Sequence, residues 1–433
     1  MQNSNTAASE IEVLEAQALN AARLGREGDA ARLWDRILVL DPNHARTLKA
    51  LGLRAFRRGD MNSARAMLQR IVDRGPTESE TWVQLAICCR NLGDEPAEEH
   101  AIREALTQDP MDLVALALRG NLLDRQGKPH EAARAYGAML SVAPPFDRLH
   151  PELRPAVALA RQRVEQYDKE RGAFIDSHLD AQLQALSGED LRRFRESVDI
   201  LVGRKRRYDS QSTHYHFPGL APIGFFDRAL FPWLDGFEAA TDAIRDEFLA
   251  VLAAEDGFTP YISYANDVPL NQFAELNNSP RWSAFHLYIM GERVEENAAK
   301  CPLTMALVDG APQPEQPGRT PAAMFSLLKP RTRIPPHTGG SNVRLVAHVP
   351  LIIPEECGFR VGNETRPWVP GQAWVFDDTI DHEAWNMSDK LRVILMFDIW
   401  NPLLTPPERA MITALSSAMN EFAVGVPAGH DNG

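Results

Sequence analysis

Four glycines stand at equal intervals: Gly25, Gly59, Gly93 and Gly127, each 34 residues from the next. Pro42, Pro76, Pro110 and Pro144 keep the same period. Apolar positions align between them, with Trp34, Leu68, Ile102 and Tyr136 in one column and Leu38, Val72, Leu106 and Leu140 in another. The segment ahead of each glycine carries Leu14, Leu48, Trp82 or Leu116, followed four positions later by Ala18, Gly52, Ala86 or Gly120. Spacings of three and four mark amphipathic helices. A small residue lets two helices approach closely, the glycine suits the turn between them, and the proline ends the second helix.

A helix-turn-helix unit of this period is the signature of a tetratricopeptide repeat. Four repeats fill residues 10 to 144, enough for a continuous core. Residues 1–144 are therefore expected to form an all-α solenoid domain. Its concave face either holds a peptide or protein or packs against the rest of the chain, and its residues name no ligand. At 433 residues the chain is too long for one core, and two or three domains are expected. Residues 145–255 read as a linker and helical region: "PPFDRLHPELRP" as linker, then "AVALARQRVEQYDKERGAFIDSHLDAQLQAL", "EDLRRFRESVDILVG" and "FPWLDGFEAATDAIRDEFLAVLAAE" as helices. The basic run from Arg204 reads as a solvated helix end.

Past residue 256 the texture changes to short apolar runs among prolines and glycines. "WSAFHLYIM" alternates Phe285, Leu287 and Ile289 on one face, as a half-buried strand does. "NVRLVAHVPLIIP", "FRVG", "AWVFD" and "LRVILMFDIWNP" are further strands, with "WVPGQ" as a turn. Short strands with turn signals point to an antiparallel barrel or sandwich over 256–433, so the fold class is multidomain α + β. The net charge of -13 argues against nucleic acid or anionic membrane as partners. No apolar run approaches the ~20 residues that span a bilayer. "MQNSNTAASEIEVLEAQ" lacks a basic start followed by an apolar core, so a cytoplasmic location is expected. Cys88, Cys89, Cys301 and Cys357 lack zinc-finger spacing and read as reduced thiols.

Chemistry is concentrated in "IPPHTGGSNVRLVAH" and "VFDDTIDHEAWN". His337 precedes a strand, His382 follows one, and Arg392 opens the last strand. A non-haem iron site needs imidazoles on one face of the metal and open positions on the other. A 2-oxo acid cosubstrate needs a cation for its far carboxylate, which the planar fork of arginine suits. Gly339 stands two residues after His337, where an aspartate ligand is often found.

From Trp282 to Pro402 the chain resembles the aspartyl/asparaginyl β-hydroxylases, Fe(II)- and 2-oxoglutarate-dependent oxygenases with a double-stranded β-helix, or jelly-roll, fold. "HTGGSN", "RVGNETRPW", "FDDTIDHEAWN", "RVILMFDIWNP" and "CPLT" carry the likeness. Members with a repeat domain ahead of the oxygenase occur in that family. In its animal hydroxylases a glycine also follows the first histidine by two, and water replaces the carboxylate ligand. The resemblance implies that His337 and His382 hold iron, that Arg392 clamps the distal carboxylate of 2-oxoglutarate with Ser326, and that His348 reaches its other end. It implies a role for Asp378 beside the metal, orienting bound water. Many members carry arginine where this chain has Val346, and Arg344, on the same side of an ideal strand, is the replacement candidate. The implied reaction consumes O2 and 2-oxoglutarate and hydroxylates the β-carbon of an aspartyl or asparaginyl residue in a peptide or protein, with carrier-bound amino acids or lipid acyl chains as alternatives.

Structural readings stand beside these. Ser326 would also satisfy backbone near a strand end, His348 would also serve as a core histidine, and Asp377 reads as a turn residue. Trp368, Trp385 and Trp400 read as core, and His286 as either pocket lining or solvated. Two rival functions remain: a repeat adaptor with an inactive barrel, and a zinc hydrolase, which lacks a third ligand and an HExxH motif.

Overall fold

The computed structural model describes residues 2–75, 77–254, 256–265 and 267–424. Pro76, from the proline column, lies outside the described residues, as do the ends of two expected domains at 255 and 425–433. The chain divides into two compact units, 1–204 and 205–433, so the 145–255 stretch is shared between them.

The first unit is a series of helix pairs: α1 (Gln2–Arg23) with α2 (Glu27–Leu40), α3 (Ala45–Arg57) with α4 (Met61–Val72), α5 (Ser79–Asn91) with α6 (Glu95–Gln108), and α7 (Leu113–Arg125) with α8 (Pro129–Val142). Two of the apolar columns read from sequence are its core, while in the third Val72 is buried and Leu38, Leu106 and Leu140 are half-buried. Trp34, Leu68, Ile102 and Tyr136 are all buried, as are Leu14, Leu48, Trp82 and Leu116. The turn glycines take left-handed φ values of 71°, 79°, 74° and 68°, which other residues adopt at a cost. At Gly120 a Cβ would run into the Tyr136 ring, so this small-residue position is set by helix approach. The long α9 (Arg154–Ala185) packs Val157 and Ala160 on Tyr136 and Met139, covering the apolar end of the last repeat. After α10 (Arg192–Leu201), Arg204 pairs with Asp176 at 2.7 Å and Asp199 at 3.1 Å, as a helix end would.

The second unit is built on two antiparallel sheets. The larger has the order β1 (Phe258–Pro260), β2 (Trp282–Ile289), β4 (Ala323–Leu328), β11 (Arg392–Trp400), β6 (Arg344–Ile352), β9 (Trp374–Phe376), with β3 (Glu292–Arg293) beside β2. The smaller has the order β5 (Thr332–His337), β10 (His382–Asn386), β7 (Cys357–Val361), β8 (Glu364–Arg366). From β4 onward most successive strands alternate between the sheets. The segment read as one helix breaks at Ala240 into α11 (Leu234–Ala239) and α12 (Thr241–Ala254). Short α13 (Glu295–Ala298), α14 (Pro302–Asp309) and the terminal α15 (Pro406–Val424) complete the unit.

Strand alternation splits the larger sheet into two faces. Phe285, Phe325, Leu395, Phe397 and Val349 meet Phe237 and Phe248 of the helices, and the Phe237 and Phe397 rings stack at 4.9 Å. The inner face carries Trp282, Leu328, Ile394, Val346 and Phe376 against Ile334, Phe359, Val361 and Ala384 of the smaller sheet. β5 was not legible as a strand, because Pro335 and Pro336 lie in it. It is an edge strand, bonded only to β10, and an edge tolerates a missing N–H. Among the described residues no helix is long and apolar enough to cross a membrane.

Candidate active site

The pairing of β5 with β10 makes His337 and His382 direct partners across the ladder, although 44 residues of chain separate them. Their rings lie 4.1 Å apart, centroid to centroid. Each Nδ1 lies against a backbone carbonyl two residues earlier, Pro335 O at 2.8 Å and Ile380 O at 3.0 Å. A neutral imidazole meets a carbonyl only by donating, so both Nδ1 atoms carry the proton and both Nε2 lone pairs are left over. Burial, the leading cause at both rings, pushes their pKa values down, that of His382 far below its ordinary range. Phe273 and Trp282 flank His337, and Phe359 and Phe376 flank His382.

Among the described residues no third His, Cys, Asp or Glu joins them in a metal-binding cluster. A Cβ on Gly339 would fall inside the Asp378 carboxylate, which occupies the space a side chain at 339 would need. The Gly339 N–H donates to the Asp378 carbonyl at 2.7 Å, joining the two histidine-bearing loops. Asp378 Oδ2 pairs with Arg344 at 2.8 Å, while its Oδ1 is buried with no partner among the described residues. Gln211 N–H donates to Thr379 O at 2.7 Å and Thr213 N–H to Gly339 O at 3.1 Å, so residues 211–213 strap both loops.

Arg392 is 1% exposed, yet no carboxylate faces it among the described residues. Its guanidinium donates to Ser326 O at 3.2 Å and lies 5.0 Å over the Trp368 ring, and Nε has no partner. Burial pushes its pKa down to about 10. The Ser326 hydroxyl accepts from Trp282 Nε1 at 3.3 Å. Trp368 Nε1 donates to His348 Nδ1 at 3.4 Å, which leaves the His348 proton on Nε2. Burial first, then Arg392, holds His348 well below its ordinary pKa. Trp368 is core, as read, and it also positions two candidate residues.

Arg344 lies between Asp378 and Asp398, at 2.8 and 3.1 Å. His286 is half-buried, its Nδ1 has no partner among the described residues, and burial pushes its pKa down to about 4. Asp377 takes the Thr379 N–H at 2.9 Å and hydroxyl at 2.6 Å, the turn role read for it. Burial, the largest cause, raises its pKa to about 6 from 3.8. A raised carboxyl pKa binds its proton more tightly when folded, so its contribution is lost as pH rises toward about 6. Asp377→Asn is therefore expected to gain stability relative to the natural protein between pH 4.5 and 7, read as a growing difference in urea midpoints. A constant difference would contradict this.

Several site residues were not found by sequence reasoning. Asp398 lies within "RVILMFDIWNP", but no role was read for it. Tyr261 lies in the field of Arg344, Asp398 and Asp378, with burial pushing its pKa up to about 12, and stacks on Trp282 at 4.0 Å. Behind the histidines, Arg360 bonds Glu383 at 2.6 Å and Asp381 at 2.7 Å, the two residues flanking His382, while Arg333 of β5 also pairs with Glu383. Arginines alternating with apolar residues in "TRIP" and "FRVG" are the sequence trace of that clamp.

A profile of the family described as aspartyl/asparaginyl beta-hydroxylase matches residues 238–402. The human aspartyl/asparaginyl beta-hydroxylase is 27% identical over 82% of this chain and 43% of its own length. The ornithine lipid ester-linked acyl 2-hydroxylase of Rhizobium tropici is 35% identical over 46% of this chain and 67% of its own. The chain thus spans less than half the length of the human relative. A solved structure of the MamA protein is similar over 43% of this chain, at 20% identity and a TM-score of 0.33.

Proposed function

The chain belongs to the aspartyl/asparaginyl β-hydroxylase family, and from that premise we propose that it is an Fe(II)- and 2-oxoglutarate-dependent dioxygenase. Its preferred target is the β-carbon of an aspartyl or asparaginyl residue in a peptide or protein, with the helical repeats as an interaction module. The observation that carries the reading is Arg392, a buried cation with no anion opposite among the described residues, on the inner face of the sheets that hold the histidine pair. An unpaired buried charge is costly, which points to an anionic ligand that completes it.

The residues present fit the metal and cosubstrate. His337 and His382 would hold iron through the two spare Nε2 lone pairs, each fixed by its Nδ1 bond. Arg392, beside Ser326, would take the far carboxylate of 2-oxoglutarate, and the His348 Nε2–H would donate to the other end. When bound, iron and 2-oxoglutarate supply oxidative decarboxylation by O2, giving succinate, CO2 and a hydroxylated C–H bond. The protein's part is to position and to exclude water, with the aromatic wall around the histidines keeping the site dry. Asp378 Oδ1 is an acceptor suited to orienting water at the metal, and the Arg360 clamp holds the start of β10 in place. The order β4-β11-β6-β9 over β5-β10-β7-β8 supports a jelly roll for this unit.

A second reading, hydroxylation of an acyl chain, is favoured by the acyl 2-hydroxylase among the relatives. The test common to both is succinate release by the full chain with Fe(II), 2-oxoglutarate and O2, without added substrate. His337→Ala and His382→Ala are expected to abolish it while keeping the native circular dichroism spectrum. Undiminished release from His382→Ala would overturn the proposal.

A further inference from the structure

The charges around Arg344 do not balance. Arg344 faces two carboxylates, Asp378 and Asp398. All three side chains are shielded, with exposures of 18%, 9% and 9%. Asp378 and Asp398 are both ion-pair partners of Arg344, and Tyr261 lies in the field of all three. Arg392 lies six residues before Asp398 on β11, about 20 Å of strand, and is committed to the cosubstrate.

The neighbouring wall adds no positive charge. Register places Asp398 beside Val346, and Val346 beside Phe376. The next row across the inner face is His286, Met324, Met396 and His348. Burial lowers the pKa of both of its imidazoles.

We infer that the group this site accepts is uncharged, so that of two peptides differing only in one residue the asparaginyl member is the substrate and the aspartyl member is rejected. The inference rests on the dioxygenase reading. A carboxylate entering here would shed its water against a surplus negative charge, with no cation to receive it. The amide of asparagine is nearly isosteric, carries no charge and brings two N–H donors to a site rich in carboxylate acceptors.

The experiment uses the full chain with Fe(II) and 2-oxoglutarate and a panel of peptide pairs identical except for one Asn or Asp. Hydroxylation is read by mass, and coupling by succinate released above the substrate-free rate. The asparaginyl members are expected to be favoured by about tenfold or more in kcat/KM. Val346→Arg, which sets a cation beside Asp398, is expected to narrow or invert that ratio. Equal or better turnover of aspartyl members by the natural protein overturns the inference. So does a panel in which no asparaginyl member raises succinate release. Loss of the substrate-free rate itself would instead strike at the dioxygenase reading, which keeps the two failures apart.

Discussion

Arg392→Ala is expected to raise the 2-oxoglutarate needed for half-maximal uncoupled turnover by roughly two to four powers of ten. Removing one partner of a buried charged pair costs about 3–5 kcal/mol, and 2-oxoglutarate would be the partner left behind. Iron retention should change little, because the guanidinium touches Ser326 O and the Trp368 ring and neither histidine ligand candidate. Arg392→Lys keeps the charge but loses the planar fork and its stacking on Trp368, so it should recover only part of the affinity. A second readout separates binding from folding. Without ligand, Arg392 is a buried cation with an unpartnered Nε, so Arg392→Met should melt higher than the natural protein when 2-oxoglutarate is absent. Adding 2-oxoglutarate should raise the melting temperature of the natural protein and leave that of the variant in place. Unchanged 2-oxoglutarate dependence in Arg392→Ala would overturn its role as the anchor, and Arg344, the replacement candidate from sequence, is already engaged by Asp378 and Asp398.

Gly339→Ala is expected to be nearly as damaging, for a packing reason. The added methyl would meet the Asp378 carboxylate, itself paired with Arg344. The Asp378 side chain cannot give way without straining that pair, and the Gly339 N–H to Asp378 carbonyl bond keeps the two loops close together. Overpacking of this kind costs about 1–3 kcal/mol. The cost falls on the geometry that brings His337 to His382, so uncoupled turnover should drop by tenfold or more, at roughly 1.4 kcal/mol per decade. Gly339→Asp should fare no better, because the space for a third ligand is already occupied by a carboxylate. Wild-type succinate release from Gly339→Ala would show that the Asp378 position is immaterial.

Local patterns made the helical unit legible almost to the residue. A repeat buries its apolar columns against its immediate neighbours in sequence, so period and burial are the same information. Trp34, Leu68, Ile102 and Tyr136 were one column on paper and are core in three dimensions. Strand β2 was legible by alternation, and β6, β7, β9 and β11 as short apolar runs. β5 was hidden by its prolines, which are harmless only because the strand is at an edge, a property of the assembled sheet.

The candidate residues were named by motif, but their relations were not. Sequence by itself determined the repeat solenoid and the change to short strands, and it named His337, His382 and Arg392 as candidates. Only the tertiary structure decided that the histidines are ladder partners, that Asp378 fills the space beside Gly339, and that Arg344 is engaged by two carboxylates. It also decided that Arg392 is left without one. Helical periodicity is a short-range property carried by residues three and four apart. Charge balance in a two-sheet core depends on register between strands tens of residues apart, and a one-residue slip would turn every one of these side chains to the other face.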